Sequence, residues 1–391
     1  MLSEATLDYG RSMMTALLGV DRLYREESGD QDGLAVLNLD SGHEFAPEGF
    51  ASYAEAATRF AELTREATWL PEGDRRRYYD DVCRSTLAFI AWRTGGLSFN
   101  DQLDGFLRVP GAPATDQELV DLRSEIGALL DRMGYRGGLS TQAAAWEQQH
   151  LVPPNDVASV LTELLDAAWD RTEERLLPIP APKSDGMRVK TVSGVAFNAR
   201  CNFLDRQIEL NTDPTLTRPG LKHLAVHEGY PGHYVQFILR QTGYAAGTSP
   251  ADGLISVVNT ASSSVFEGIA DAGIQMIDWI ENDDDRLQGL LNRYRSGIGT
   301  GAAWRLHSLG WPEGKVSEWL GRMTLTGGEG WVANRMAFIK APARAVLIWS
   351  YWWGEPTVAS AWSKILPERR DAFLSFLHGR MHSNASVGMF A

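Results

Sequence analysis

Apolar residues recur at intervals of three and four along most of the first 178 residues, which is the spacing of one face of an α-helix. Ser3 and Thr115 precede two of these stretches and suit the N-cap position, and Glu118 completes a capping-box pattern with Thr115. The pair Gly95 and Gly96 suits a helix end. The pattern predicts helices over residues 3–27, 53–70, 80–96, 115–135 and 154–177.

Residues 177–186, LPIPAPKSDG, interrupt this pattern with three closely spaced prolines, which cannot continue a helix. We interpret the interruption as the boundary between an N-terminal helical cover, residues 1–178, and a second part, residues 187–391. Residues 187–212 then become rich in Val, Phe, Ile and Thr. We predict two or three short antiparallel strands there, the only convincing strands in the chain.

The helical pattern returns at about residue 216, where Pro219 suits the first turn of a helix. Long periodic stretches follow near residues 254–281, 285–308, 313–325, 329–353 and 367–381. The predicted fold class is therefore mainly α, a multi-helix body with a small antiparallel β-sheet.

Composition narrows the class of protein and its partners. The chain has 391 residues, 44% of them hydrophobic, which is enough for a large core. The net charge of −13 disfavours nucleic acid as a partner, because a phosphate backbone repels an acidic protein. Cys83 and Cys201 form no CxxC pair and indicate a reducing compartment. The N-terminus does not read as a signal peptide and no apolar run could span a membrane, so we expect a cytoplasmic protein without a membrane partner.

The segment HEGYPGHY, residues 227–234, carries the clearest chemistry in the chain. Neutral imidazoles can hold a metal ion, and a nearby carboxylate can take a proton from activated water. In an HExxH pattern the two histidines share a helix face, but His233 follows His227 by six residues, about 120° away on a regular helix. Pro231 removes a helical hydrogen bond and Gly232 permits unusual dihedral angles. We therefore predict a local distortion that turns His233 towards His227.

Two alternatives stay open at this point. A His-Glu pair followed by another histidine also occurs at helix ends, where the imidazoles are satisfied within the core. His223 lies four residues before His227, so the segment HLAVH could bind an ion on one helix face without any distortion. No acid stands beside His223 to act as a base, which favours a packing role or a role in supporting a ligand.

HEGYPGHY resembles the HExxPGHH motif of a bacterial family catalogued as domain of unknown function 885, whose members resemble zincin-type metallopeptidases. The resemblance implies that His227 and His233 bind zinc and that Glu228 is the general base. Tyr234 replaces the last histidine of the family motif, which favours His233 as the ligand. The resemblance is clear over residues 187–275 and weaker elsewhere.

The family's third zinc ligand is a Glu in a downstream EGxA segment, and FEGIA at residues 266–270 makes Glu267 the corresponding residue. A physical reason points the same way, because a carboxylate on an otherwise apolar helix needs a partner. Asp271 shares the helix face of Glu267, and a similar Asp in the glutamate-zincins orients a metal-binding histidine. A half-exposed acidic face is the simpler alternative for both carboxylates.

A hydrolase also needs a hydrogen-bond donor to the developing oxyanion. The candidates are Tyr351, in SYWWG, and His378 or His382, in FLHGRMHSN. The family tends to carry a Pro and then a Tyr-xx-Gly late in the chain, which Pro342 and the YWWG segment echo with altered spacing. A buried aromatic core is the alternative for the tryptophans. Arg344 is a candidate for binding a substrate carboxylate, although a surface ion pair is commoner for such a residue.

The resemblance also implies an edge strand beside the metal-binding helix, where zincins pair with an extended substrate backbone. GVAFNARCNF, residues 194–203, is the candidate strand, and Asn198 and Arg200 are candidates to face the cleft. Ordinary surface positions on a strand are the alternative for these two residues.

These expectations describe a zinc-dependent hydrolase that cleaves peptide bonds, with a zincin-like catalytic part over residues 187–391 and its small sheet next to the metal-binding helix. One Zn²⁺ per chain is expected, although His₂Glu ligation suits other divalent metals too. Short peptides are the expected substrates, because a helical cover excludes folded proteins. The alternatives are hydrolysis of a non-peptide amide or ester, or a catalytically inactive binding protein, against which the presence of Glu228 argues.

Overall fold

A computed structural model describes residues 2–29, 33–341 and 344–390, and it has the mainly α fold that the sequence predicts. The Ser3 side chain accepts a hydrogen bond at the first N-terminus, and Thr115 and Glu118 form the predicted capping box. The helices before the proline-rich segment are α1 (Glu4–Ser28), α2 (Tyr53–Ala67), α3 (Gly73–Gly95), α4 (Phe99–Leu107), α5 (Asp116–Arg132), α6 (Leu139–His150) and α7 (Val157–Arg175).

The helices after that segment are α8 (Arg218–Leu224), α9 (His233–Ala245), α10 (Ser263–Met276), α11 (Asp283–His307), α12 (Glu313–Met323), α13 (Gly328–Lys340), α14 (Ile348–Ser363), α15 (Arg370–His378) and α16 (Asn384–Val387). Pro219 occupies the first turn of α8, as predicted. The helix predicted from residue 254 begins only at Ser263, because a 3₁₀ turn and a strand precede it. The stretch predicted as one helix over residues 329–353 is two helices, α13 and α14. Pro342, between them, lies outside the described residues.

The strands are β1 (Ala35–Asn38), β2 (Arg188–Val192), β3 (Ala199–Asn202), β4 (Gln207–Asn211) and β5 (Ile255–Val257). β4 lies between β2 and β3, antiparallel to β3 and parallel to β2. The prediction of purely antiparallel pairing was therefore wrong for β2, because the chain passes from β2 to the far side of β4 before it forms the β3–β4 hairpin. β1 and β5 form a second, antiparallel pair that the sequence analysis did not predict.

One cluster of buried apolar side chains includes residues from both sides of the proline-rich segment, such as Trp146 and Trp169 before it and Tyr234 and Ile269 after it. α7 packs against α8 and against the turn that carries the first half of the histidine motif. β3 lies beside the same turn. The N-terminal helices and the small sheet thus enclose the motif from two sides.

α10 and α14 cross at two glycines. A Cβ atom at Gly268 would stand 2.3 Å from the Gly354 carbonyl oxygen, and one at Gly354 would stand 2.1 Å from the Ser264 carbonyl oxygen. Only glycine allows the two backbones to approach so closely. The crossing places Glu267 of α10 and Tyr351 of α14 in the same region of the molecule.

The structure also bears on two expectations drawn from composition. Cys83 and Cys201 are both free thiols. Within the described residues, no helix combines the length and the apolar character needed to cross a lipid bilayer.

Candidate metal centre

The helix that carries the motif is interrupted between its two histidines. α8 continues into a π-helical turn at Ala225–Gly229, and α9 begins at His233. Gly232 approaches the preceding turn so closely that a Cβ atom there would stand 1.9 Å from the His227 carbonyl oxygen. The structure therefore has a distortion where the sequence predicts one. The centres of the His227 and His233 imidazole rings lie 4.7 Å apart.

Three side-chain atoms converge at this interruption. Oε2 of Glu267 lies 3.3 Å from Nε2 of His227 and 3.5 Å from Nε2 of His233. Two ligands of a tetrahedral zinc ion with bonds of about 2.0–2.1 Å stand about 3.3–3.4 Å apart. The three residues are buried, and among the described residues nothing donates a hydrogen bond to Oε2 of Glu267. Their spacing and chemistry therefore fit a zinc ion.

The protonation of Glu267 suits a ligand. Burial raises the pKa of a carboxyl group, but the imidazoles of His227 and His233 outweigh this effect and lower the pKa of Glu267 to about 2. Glu267 is therefore ionised at neutral pH, as a metal-binding carboxylate must be.

Asp271, one turn after Glu267, lies behind His227. Its Oδ1 atom is 2.7 Å from Nδ1 of His227 and 3.0 Å from Nε2 of His223. Because an ionised carboxylate only accepts hydrogen bonds, Nδ1 of His227 donates to Asp271, which leaves Nε2 as the ring atom that faces Glu267. Burial lowers the pKa of His227, but Asp271 more than reverses this and the pKa is raised well above its usual value. Asp271 thus fixes the orientation and tautomer of His227.

His223 belongs to this supporting group. His223, His227 and Asp271 lie close enough to be considered as a second set of metal ligands. However, Nδ1 of His227 and Nε2 of His223 both point at one oxygen of Asp271, which satisfies all three side chains without an ion. The HxxxH alternative is therefore less well supported by the geometry than the set that contains His233 and Glu267.

Glu228 is buried and faces a cavity of about 200 Å³ that also reaches His227, Asp271 and Tyr351. The walls of this cavity, which we call the motif cavity, come from α6, α8, α11, α13, α14 and the loop before β3. It is smaller than the roughly 300–1,000 Å³ of sites for drug-sized ligands. A short segment of substrate could enter it, and a folded protein could not.

The strand predicted to lie beside the motif does so. β3 is an edge of its sheet, and Asn198 and Ala199 at its start line the motif cavity. Oδ1 of Asn198 is buried and makes no hydrogen bond in the described part of the chain. Arg200 instead pairs with Glu209 of β4, 2.6 Å away, and is not among the residues that line the cavity. Of the two cleft residues predicted from the sequence, the structure brings only Asn198 to the site.

Tyr351 also lines the motif cavity. Burial and the charge of Glu267 raise the pKa of Tyr351 well above its usual value, so its phenol stays protonated and can donate a hydrogen bond. Its neighbour Trp352 is buried in the core, which supports the core interpretation of that tryptophan.

Comparison with known proteins places the fold but not the function. No protein-family model matches the chain, and no curated protein matches it. The fold is similar to a candidate lipoprotein from Colwellia psychrerythraea, with a TM-score of 0.56 and 12% identity over 85% of this chain and 65% of that one. It is also similar to a candidate lipoprotein of unknown function from Shewanella oneidensis, with a TM-score of 0.52 and 12% identity over 86% of this chain and 70% of that one. The chain thus spans about two thirds of the length of these structures, and the likeness concerns the fold alone.

The structure does not bring His382, a predicted catalytic residue, to the motif cavity. It is buried, its Nδ1 lies 3.2 Å from the Arg75 guanidinium, and its Nε2 lies 2.8 Å from the Phe376 carbonyl oxygen. His378 lines a different cavity, beside α9 and α15, and Arg344 is not among the residues that line the motif cavity. His378 and His382 are core residues.

These two histidines should make the protein sensitive to acid. Burial, assisted by the charge of Arg240, lowers the pKa of His378 to about 4, and burial lowers that of His382 well below its usual value. A histidine in the unfolded chain titrates near 6.5, so between pH 6.5 and 4 the unfolded state binds more protons. The free energy of unfolding should then fall by up to about 1.4 kcal/mol per pH unit for each histidine.

Urea unfolding of the wild type and of His378→Gln at several pH values between 7.5 and 4.5 measures this effect. The stability of the variant should fall less steeply with acid, because glutamine does not titrate. If the difference in stability between the two proteins is the same at every pH, His378 is not a titrating core residue.

Proposed function

We propose that this chain is a zinc-dependent hydrolase that cleaves peptide bonds in short peptides, with His227, His233 and Glu267 as the metal ligands. The observation that carries the proposal is the convergence of two imidazole Nε2 atoms on a buried carboxylate oxygen without a hydrogen bond. Burying such an oxygen without a partner is costly, and a divalent cation would satisfy it. Two imidazoles and a carboxylate are also the protein ligands of many catalytic zinc sites.

A zinc ion held by these ligands supplies Lewis acidity, which polarises a carbonyl group and acidifies water. The other roles fall to the chain's own residues. Glu228 follows His227 directly and faces the motif cavity, so its carboxylate can take a proton from the attacking water and deliver it to the leaving amine. Tyr351 lines the same cavity and can donate a hydrogen bond to the oxyanion.

Two features of the cavity favour peptides over other amides and esters. The cavity adjoins the edge strand β3, whose backbone can pair with an extended peptide. Asn198, at the start of that strand, offers a buried oxygen that can accept a hydrogen bond from a backbone N–H. A panel of short peptides, simple amides and esters tests this preference, and faster cleavage of the esters or simple amides would contradict it.

Metal content tests the ligand set directly. Elemental mass spectrometry should find about one zinc per chain in the purified wild type and a loss of zinc in His233→Ala and Glu267→Ala, because each variant removes one of three ligands. His223→Gln is the matched control, since His223 contacts Asp271 rather than the convergence point, and it should keep its zinc.

Circular dichroism of the same samples separates loss of metal from loss of fold. A wild type that stays free of metal after zinc is offered and the excess removed would overturn the proposal. The same holds if the two ligand variants bind zinc as the wild type does.

A further inference from the structure

Two arginines of the motif cavity make few polar contacts with the residues that the structure describes. Arg295 lies on α11 and Arg335 on α13, and both line the cavity. Neither forms an ion pair with any described residue, and the Nε atom of each is buried without a hydrogen bond. In the described parts of the chain, one hydrogen bond involves either side chain, from Arg295 to the Thr326 hydroxyl, 2.7 Å away.

A shortage of acidic residues in the chain does not explain why these two arginines form no ion pair. The chain has 50 acidic residues against 37 basic ones, and other arginines pair readily, as Arg200 does with Glu209 and Arg77 with Asp81. Burial lowers the pKa of Arg295 and of Arg335 to about 10, so both stay charged at neutral pH. Both side chains are only partly buried, and the charge of Glu147, another residue of the cavity wall, acts on Arg295. No described carboxylate acts on Arg335 in this way, so an anion that enters the cavity from outside the chain can pair with it.

Both guanidinium groups are held in place by aromatic packing. They lie 5.6 Å (Arg295) and 5.5 Å (Arg335) from the centre of the Trp331 ring, a distance at which cation and ring attract. Trp331, Arg335 and Phe338 follow one another at helical intervals of four and three residues, so one face of α13 forms this wall. The two charges are therefore positioned before any ligand binds.

This wall is fixed to the rest of the site. The Asn334 side chain donates hydrogen bonds to the carbonyl oxygens of Val195 and Phe197, 3.0 and 2.9 Å away, in the loop that leads to β3. Tyr351 and Arg335 lie close enough for the charge of each to affect the pKa of the other. Arg335 thus lies near the candidate oxyanion donor, on a helix that is hydrogen-bonded to the loop leading to β3.

We propose that Arg335, assisted by Arg295, binds a carboxylate of the substrate within one or two residues of the cleaved bond. This inference rests on the proposed function and specifies the substrate class. The planar guanidinium group donates two parallel hydrogen bonds to a carboxylate. Because an extended residue spans only about 3.3–3.6 Å, a small cavity whose wall includes both arginines, His227 and Glu228 leaves room for few residues between them. The free C-terminus of a short peptide and an acidic side chain share this chemistry.

Calorimetric titration of three dipeptide probes tests the inference. The protein is Glu228→Gln, which prevents turnover, and the probes are alanyl-alanine, its C-terminal amide, and alanyl-glutamate α-amide. Alanyl-alanine should bind about 10- to 100-fold more tightly than its amide, the effect of a charge-assisted hydrogen bond. Tight binding of the alanyl-glutamate amide would assign the site to an acidic side chain, and weak binding would assign it to the C-terminus.

In the Glu228→Gln protein, a second substitution, Arg335→Gln, should abolish the preference for the free carboxylate. Arg335→Lys in its place should keep part of that preference, because lysine keeps the charge but not the planar guanidinium group. Arg305→Gln is the matched control. Arg305 also packs on tryptophan rings and has a buried Nε atom without a hydrogen bond, but it is not among the residues that line the motif cavity.

Equal affinities of all three probes, undetectable binding of all three, or a preference for a carboxylate that is undiminished in Arg335→Gln would overturn the inference. These outcomes leave the zinc content and the hydrolysis of other peptides unaffected. Conversely, a preference for the carboxylate in a protein that binds no zinc would support the anion site and contradict the proposed hydrolase.

Discussion

Replacing Glu228 by glutamine should abolish hydrolysis while the protein keeps its metal and its fold. Glu228 faces the motif cavity but is not one of the three side chains that converge, so its removal leaves the ligand set intact. Glutamine has nearly the same shape and cannot take up a proton. General-base catalysis contributes typically about 10²- to 10⁴-fold, so kcat should fall by that factor.

The measurement is the rate of cleavage of a short peptide, with zinc content and circular dichroism recorded on the same samples. Glu355→Gln is the matched control. Glu355 lies on α14 one turn after Tyr351, accepts a hydrogen bond from Gln275 at 2.9 Å, and is not among the residues that line the motif cavity. Its replacement should leave the rate within a few-fold of wild type.

The same experiment addresses the alternative of a catalytically inactive binding protein. Zinc bound by the wild type, with no turnover of any peptide, amide or ester, would support that alternative. An unchanged rate in Glu228→Gln would show that another group takes the proton.

The features of the fold that the sequence predicted correctly are set by near neighbours in the chain. Ser3, Thr115 and Glu118 cap helices through bonds within one turn, and Pro219 starts α8 through its own fixed backbone angle. The β1–β5 pair was missed, because its strands are only four and three residues long and lie far apart in the chain. Strands this short show too little alternation to stand out from a helical pattern.

The site shows the same contrast between features set by near neighbours in the chain and features set by distant residues. The interruption between His227 and His233 followed from Pro231 and Gly232, which lie within the motif itself. By contrast, His382 was predicted at the site, whereas the structure places it beside Arg75, which is 307 residues away in the chain. A histidine among glycine and serine looks available in a sequence, and only the packing of distant helices shows that it is buried.

The sequence analysis also missed Arg335, although a signal was present. In WVANRMAF, residues 331–338, Trp331, Arg335 and Phe338 share one helix face, and a charge between two aromatic residues on such a face is unusual for a core. Arg344 was the sequence-based candidate for binding a carboxylate, with a surface ion pair as the commoner alternative, and it is not among the residues that line the motif cavity.

Gly232 offers the sharpest test of the distortion on which the whole site depends. A Cβ atom at this position would stand 1.9 Å from the His227 carbonyl oxygen and 2.3 Å from that of Val226. Both contacts are with backbone, so no side chain can move aside, and the turn that holds His227 would have to shift. Gly232→Ala should therefore separate His233 from His227 and destabilise the protein by at least about 3 kcal/mol, the upper end of the usual cost of overpacking.

The expected result is a loss of zinc and a lower thermal midpoint, measured by elemental mass spectrometry and circular dichroism. Gly289→Ala is the matched control, because Gly289 lies in α11 with no atom within 4 Å of an added Cβ. That change should stabilise the helix by roughly 0.5–1 kcal/mol and leave the zinc in place. If Gly232→Ala instead binds zinc as tightly as wild type, the close approach at this glycine is not what brings the two histidines together, and the metal centre must tolerate a different path of the chain between them.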